Sequence, residues 1–118
     1  MTESLLKLMT DVRECCSNIR TIIRGKTLED IKNDITIRSA VLYQFVIIGE
    51  ALNKAWKIDS DLESQITDLQ EIVDFRNHIT HGYSLIDEEI VWAIIIDDLP
   101  KLEKEVEQLI NKLEGTLR

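Results

Sequence analysis

The sequence predicts an all-α protein, a four- to five-helix up-and-down bundle. Three observations carry this. The 118 residues include one proline and four glycines, so few positions interrupt a helix. Apolar residues make up 44% of the chain and recur at three- and four-residue spacing. The connections between these patterns are short, which makes successive helices antiparallel neighbours. Residues 1–118 are expected to form a single domain around one core.

Leu5, Leu8, Met9, Val12, Cys15, Cys16, Ile19, Ile22 and Ile23 draw one apolar stripe along a first helix. Arg24-Gly25-Lys26 ends it, since glycine tolerates the conformation past a helix C-terminus. Thr27-Leu28-Glu29-Asp30 caps a short turn, with Asp a weak form of the capping-box partner. A second long helix runs from Asp34 or Thr36 to Ala55 and is apolar over much of its circumference. Such a helix is the central element, covered on more than one side by the bundle or by a second subunit. Gly49-Glu50 interrupts it: glycine admits close approach of another backbone, and an unpaired carboxylate beside apolar residues is costly. Glu50 is expected either to find Arg38, Arg76 or a histidine, or to reach solvent.

Asp59-Ser60-Asp61 reads as a turn into a third helical region divided near Thr67-Asp68, either of which is placed to cap the second piece. Asp87, followed by Glu88 and Glu89, caps a last helix that Pro100 kinks or divides. Leu102, Val106, Leu109 and Ile110 continue the pattern into a frayed tail.

The formal net charge of −8 is uneven. Residues 1–60 hold nine Lys or Arg against eight Asp or Glu, whereas residues 61–118 hold five against fourteen. This argues against a protein that coats nucleic acid broadly, but permits a small cationic cleft. Cys15 and Cys16 are adjacent and lack ligand spacing, so they read as free thiols in a reducing cytoplasm rather than a zinc or disulfide framework. The N-terminus lacks the features of a signal peptide. The longest uninterrupted apolar run, Ile90–Ile96, is too short to span a bilayer. A soluble, cytoplasmic protein with no membrane partner is expected.

Both histidines fall in one stretch, Phe75-Arg76-Asn77-His78-Ile79-Thr80-His81-Gly82-Tyr83. On an ideal helix Arg76 and His81 lie about 140° apart and about 7.5 Å along the axis, so they do not stack. For both to act on one phosphate, the arginine reaches over, the last turn deforms near Gly82, or a second subunit completes the site across a twofold axis. The chemistry that suits them is phosphodiester cleavage without metal or cofactor. Histidine takes a proton from a ribose 2′-hydroxyl or gives one to the leaving 5′-oxygen, and arginine holds the phosphate. That chemistry needs RNA. Blander roles stand beside it: Arg76 as a surface ion pair with Glu71 or Asp74, His78 as a solvent-facing residue, His81 as a favourable charge at a helix C-terminus, Tyr83 as packing on the bundle edge. The spacing of His78 and His81 is a weak metal signal without carboxylates from elsewhere.

The stretch from Arg76 to Tyr83 resembles the arginine, polar residue, three variable residues, histidine, variable residue, tyrosine signature of the HEPN ribonucleases. It is most similar to the HepT-like toxins of toxin–antitoxin pairs. Phe45-Val46-Ile47-Ile48-Gly49-Glu50-Ala51 resembles that family's central-helix segment, and Ile86 to Pro100 its following helix. The resemblance implies an all-helical homodimer with its cleft at the subunit interface. It implies Arg76 and His81 as the ribonuclease pair, with Asn77 helping to position the RNA substrate; His78, an additional polar group in the motif's variable interval, is a further candidate for positioning. It also implies a small nucleotidyltransferase antitoxin that transfers AMP from ATP onto Tyr83, ATP being the partner's substrate and not a cofactor of this chain. Glu50 is a candidate supporting contact to Arg76 or His81. A different class of reading is a non-catalytic helical binding subunit of a nucleotidyltransferase complex; a third is an unrelated helical interaction protein.

Overall fold

A computed structural model describes residues 1–82 and 86–118. Among them the chain is all-α, a helical bundle. Its helices are α1 (Thr2–Ile23), α2 (Leu28–Asn33), α3 (Ile35–Ile58), α4 (Leu62–Gln65), α5 (Leu69–His81), α6 (Glu88–Ala93) and α7 (Leu99–Leu117). A π-helical turn, Ile94–Asp98, joins the last two.

The stripe read on α1 is the buried one: Leu5, Met9, Val12, Cys15, Cys16 and Ile19 face the core. Gly25 follows in the left-handed region, φ 71°, where a side chain would be strained. Thr27 and Asp30 then form a complete capping box. Thr27 Oγ1 accepts from the Asp30 N–H at 3.3 Å, and Asp30 Oδ2 accepts from the Thr27 N–H at 2.7 Å. The shorter aspartate therefore reaches as well as a glutamate would.

Asp34 caps α3 by accepting from the N–H groups of Thr36 and Ile37. The helix continues to Ile58, one turn beyond the expected end at Ala55. It packs between α1 and α5 and buries Val41, Phe45, Ile48, Gly49, Ala51, Leu52 and Ala55. The run at 90–96 is short, but α3 itself has the length and apolar composition to cross a bilayer. Here it is the middle of the bundle. One face remains open, with Ile35 67% and Tyr43 65% exposed.

Neither residue expected to cap α5 does so. Asp68 stands at the N-cap without a side-chain bond to the helix, because its carboxylate is 2.9 Å from Lys101 Nζ. Thr67 donates its N–H and its hydroxyl to Glu105. Tertiary partners on α7 outcompete the local cap, and they fix where α5 begins. At α6 the expected cap forms: Asp87 Oδ1 accepts from the Glu89 N–H at 2.9 Å. Pro100 sits in the first turn of α7, where its missing N–H costs nothing, and the π-helical turn precedes it. The α7 helix runs antiparallel along α1, since Arg13 meets Glu107 while Arg20, further along α1, meets Glu103. It stays helical to Leu117 rather than fraying after Ile110.

Candidate functional site

The site is built on α5. Leu69, Ile72, Val73, Phe75 and Ile79 form its buried stripe. Phe75 meets Phe45 of α3 edge to face, ring centroids 5.2 Å apart and planes at 79°. Such a pair locks the rotation of α5 just before Arg76.

Arg76 lies at the margin of the stripe and is half-buried. Its stem passes α3 at Gly49. Its Nε is shut off from solvent and has no hydrogen-bond partner among the described residues, while Nη1 donates to Asn77 Oδ1 at 2.8 Å. Among the described residues no carboxylate pairs with it. Asp74, one of the expected partners, instead accepts from Gln70 Nε2 at 2.9 Å. Among the described residues the side-chain partner of the guanidinium is the Asn77 amide oxygen.

His78 and His81 are both exposed. The Gly82 N–H donates to the His78 carbonyl at 2.7 Å, and a Cβ added to Gly82 would stand 3.3 Å from the His78 ring. Gly82 has φ −122°, which any residue adopts, so it gives the His78 ring room rather than backbone freedom. Thr80 Oγ1 lies 3.2 Å from the carbonyls of both Arg76 and Asn77, within the same turn. The helix stays regular through His81. A deformed last turn is thus not what would unite Arg76 with His81.

The structure brings Asn77 to Arg76 and leaves Glu50 on the solvent side, with no hydrogen bond or ion pair among the described residues. Tyr83 lies outside the described residues. Two arginines of the first half, the less acidic one, are engaged within the fold. Arg20 pairs with Glu103 at 2.8 Å, and Arg38 donates to the Ile31 and Lys32 carbonyls at the end of α2. Part of the chain's acidity collects at the other end of α5. There, burial and the nearby Asp68 and Glu71 hold the Asp98 carboxyl above its ordinary range. Glu71 is about 15 Å along α5 from His81. Among the described residues no three His, Cys, Asp or Glu side chains are arranged to hold a metal ion. Burial, reinforced by Asp11 and Glu14, pushes the Cys15 thiol up to about 11, and burial raises Cys16 too. The contact of Gly49 with Arg76 is the relation the sequence did not disclose. Its only signal was a glycine inside an otherwise apolar helix.

The pattern of one family, described as Ribonuclease HepT-like, matches residues 12–109. The chain belongs to the HepT-like ribonuclease family. A Methanocaldococcus jannaschii protein named "Putative RNase MJ1380" is 31% identical over 99 residues, 82% of this chain and 88% of the relative. A Caldanaerobacter subterraneus subsp. tengcongensis protein named "Putative RNase TTE0752" is 28% identical over 97 residues, 82% of this chain and 86% of the relative. The "Probable ribonuclease HepT" of Thermococcus cleftensis is 27% identical, with 92% of this chain and 98% of that one covered. No solved structure matches. Of the HepT-like motif read from Arg76 to Tyr83, the part from Arg76 to His81 forms the C-terminal half of α5, with Asn77, His78 and His81 exposed and Ile79 in the buried stripe; Tyr83 lies outside the described residues.

Proposed function

We propose that this chain is the endoribonuclease toxin of a toxin–antitoxin pair and that Arg76 and His81 act on the scissile phosphate. One observation supports this most. A half-buried arginine with no carboxylate partner among the described residues presents its tip from the helix end that carries an exposed histidine. The 2′-oxygen attacks phosphorus as the P–O5′ bond breaks. One proton leaves the 2′-hydroxyl and one is delivered to the 5′-oxygen, leaving a 2′,3′-cyclic phosphate and a 5′-hydroxyl. His81 serves one of these transfers, and Arg76 stabilises charge on the nonbridging oxygens. No metal ion is required. A second copy across the open face of α3 supplies a second histidine for the other transfer, and Ile35 and Tyr43 give that face its apolar character. Asn77 and His78 position the RNA.

Restraint comes from a nucleotidyltransferase antitoxin that joins AMP to the Tyr83 hydroxyl and releases pyrophosphate from ATP. The adduct adds bulk and negative charge beside His81, which blocks the cleft and repels RNA. Action on RNA inside the cell places the protein in the cytoplasm.

The internal engagement of Arg20 and Arg38 favours a second reading, a binding subunit that does not cleave RNA. The two are separated by incubating partner-free protein with cellular RNA in excess EDTA, beside folded Arg76→Ala and His81→Ala variants. Cleavage by the parent alone, with 2′,3′-cyclic phosphate ends, supports the ribonuclease reading. No cleavage by a parent that mass spectrometry shows to be free of AMP favours the second. Equal cleavage by all three removes Arg76 and His81 from the site.

A further inference from the structure

We propose that Gly49 is a positioning residue for Arg76: the bare backbone of α3 at Gly49 is the seat on which the arginine stem rests and from which its guanidinium is aimed. This rests on the ribonuclease reading of Arg76 and adds a residue from a different helix, 27 positions earlier in the chain.

The geometry is specific. A Cβ built on Gly49 would stand 2.2 Å from Arg76 Cβ, 2.7 Å from its Cγ and 3.6 Å from its Cα. Carbon atoms in contact keep about 3.5 Å, so even alanine requires α3 and α5 to part locally by roughly 1.3 Å. Rotating the side chain does not relieve this, because Arg76 Cβ is fixed to the backbone of α5. Gly49 is itself buried, so the space has no other exit.

The guanidinium is oriented from both ends of its stem. Seated against α3, its Nε is closed to solvent and meets no hydrogen-bond acceptor among the described residues, and Nη1 is held by Asn77 Oδ1 at 2.8 Å. What remains to meet a phosphate is the outer edge formed by the two Nη atoms. An orphaned buried donor is tolerated only where the surrounding packing imposes it. Here the packing is the α3–α5 contact at Gly49. Binding side-on through Nε, a usual mode for arginine, is closed as long as the stem stays seated.

The test follows both the seat and the chemistry. In ¹⁵N-labelled protein the Arg76 Nε–H signal, assigned by its loss in Arg76→Lys, is expected to exchange slowly with solvent. In a folded Gly49→Ala protein it is expected to exchange at least about tenfold faster. Unchanged exchange overturns the proposal, whether or not the protein cleaves RNA. In single-turnover cleavage, Gly49→Ala is expected to lower the rate at saturation on the order of 10², the usual cost of about 1 Å of misplacement. The same substitution in an Arg76→Ala background, which keeps the clash but has no guanidinium, is expected to cost less than about threefold. An equal loss in both backgrounds means that Gly49 acts on the whole bundle, and overturns the proposal. A Gly49→Ala protein as active as the parent does so as well. If Arg76→Ala cleaves as well as the parent, the ribonuclease assignment fails instead, while the exchange measurement still decides the seat. If Gly49→Ala does not fold, the transposed pair Gly49→Ala with Arg76→Gly moves the Cβ to the other helix. That pair is expected to regain a cooperative melt, and failure to do so overturns the proposal.

Discussion

Asn77 separates two ways in which the residue after the arginine can matter. If it orients Arg76, as its 2.8 Å bond to Nη1 suggests, the sign of its substituent governs activity. Asn77→Ala removes one hydrogen bond between exposed groups, worth about 1 kcal/mol, or roughly fivefold in cleavage rate. Asn77→Asp keeps the geometry and places a carboxylate on the guanidinium, where it competes with the phosphate. At about 4 Å two unit charges interact by about 1 kcal/mol in water and about 4 kcal/mol at an effective dielectric of 20. The stem of Arg76 is half-buried but Asn77 is exposed, so a value near 2 kcal/mol is expected, roughly a thirtyfold loss.

The aspartate variant should melt no lower than the parent, since it gains an ion pair, and its defect should shrink as salt screens the pair. Single-turnover cleavage of a labelled RNA at low and moderate salt, with thermal melts by circular dichroism, measures all of this. The reasoning is refuted if alanine is as damaging as aspartate. That result would mean that the amide touches RNA directly and that its bond to Arg76 is incidental.

Three further outcomes are expected. Because burial raises Cys15 from its ordinary 9.0 to about 11, the thiol is stabilising below pH 9, and its contribution falls away as pH rises from 9 to 11. Urea midpoints across that range should therefore decline, and less so in Cys15→Ala. Thr27→Ala removes the acceptor for the Asp30 N–H and should cost about 1 kcal/mol in denaturant unfolding without altering cleavage by folded protein. Gly82→Ala should fold with a change below about 1 kcal/mol, since φ there is −122°, but should displace the His78 ring, which the added Cβ would otherwise approach to 3.3 Å. A shift of the His78 ring signals in NMR checks this, and a cleavage rate unchanged by it removes His78 from substrate positioning.

The helices were legible because local rules and the core agreed on them: a stripe on α1, a glycine at φ 71° after it, a helix start near Asp34 and a cap at Asp87. Local reading failed where a distant side chain outbid a near one. Thr67 and Asp68 have the chemistry of caps, but Glu105 and Lys101 stand more than thirty residues away in sequence and take them. The same limit explains the site. The motif gave Arg76 and His81 as a pair on one helix, and periodicity showed that they do not stack. What fixes the aim of the arginine is the register of α5 on α3, set by Phe45 against Phe75 and by Gly49 against Arg76. Register between helices is a property of two segments at once, and no spacing within either encodes it. The glycine read as admitting close approach of another backbone, at a local cost of roughly 1 kcal/mol relative to alanine, but the approaching partner was not in view. Its return is the closeness of α5, which a single-helix pattern does not contain.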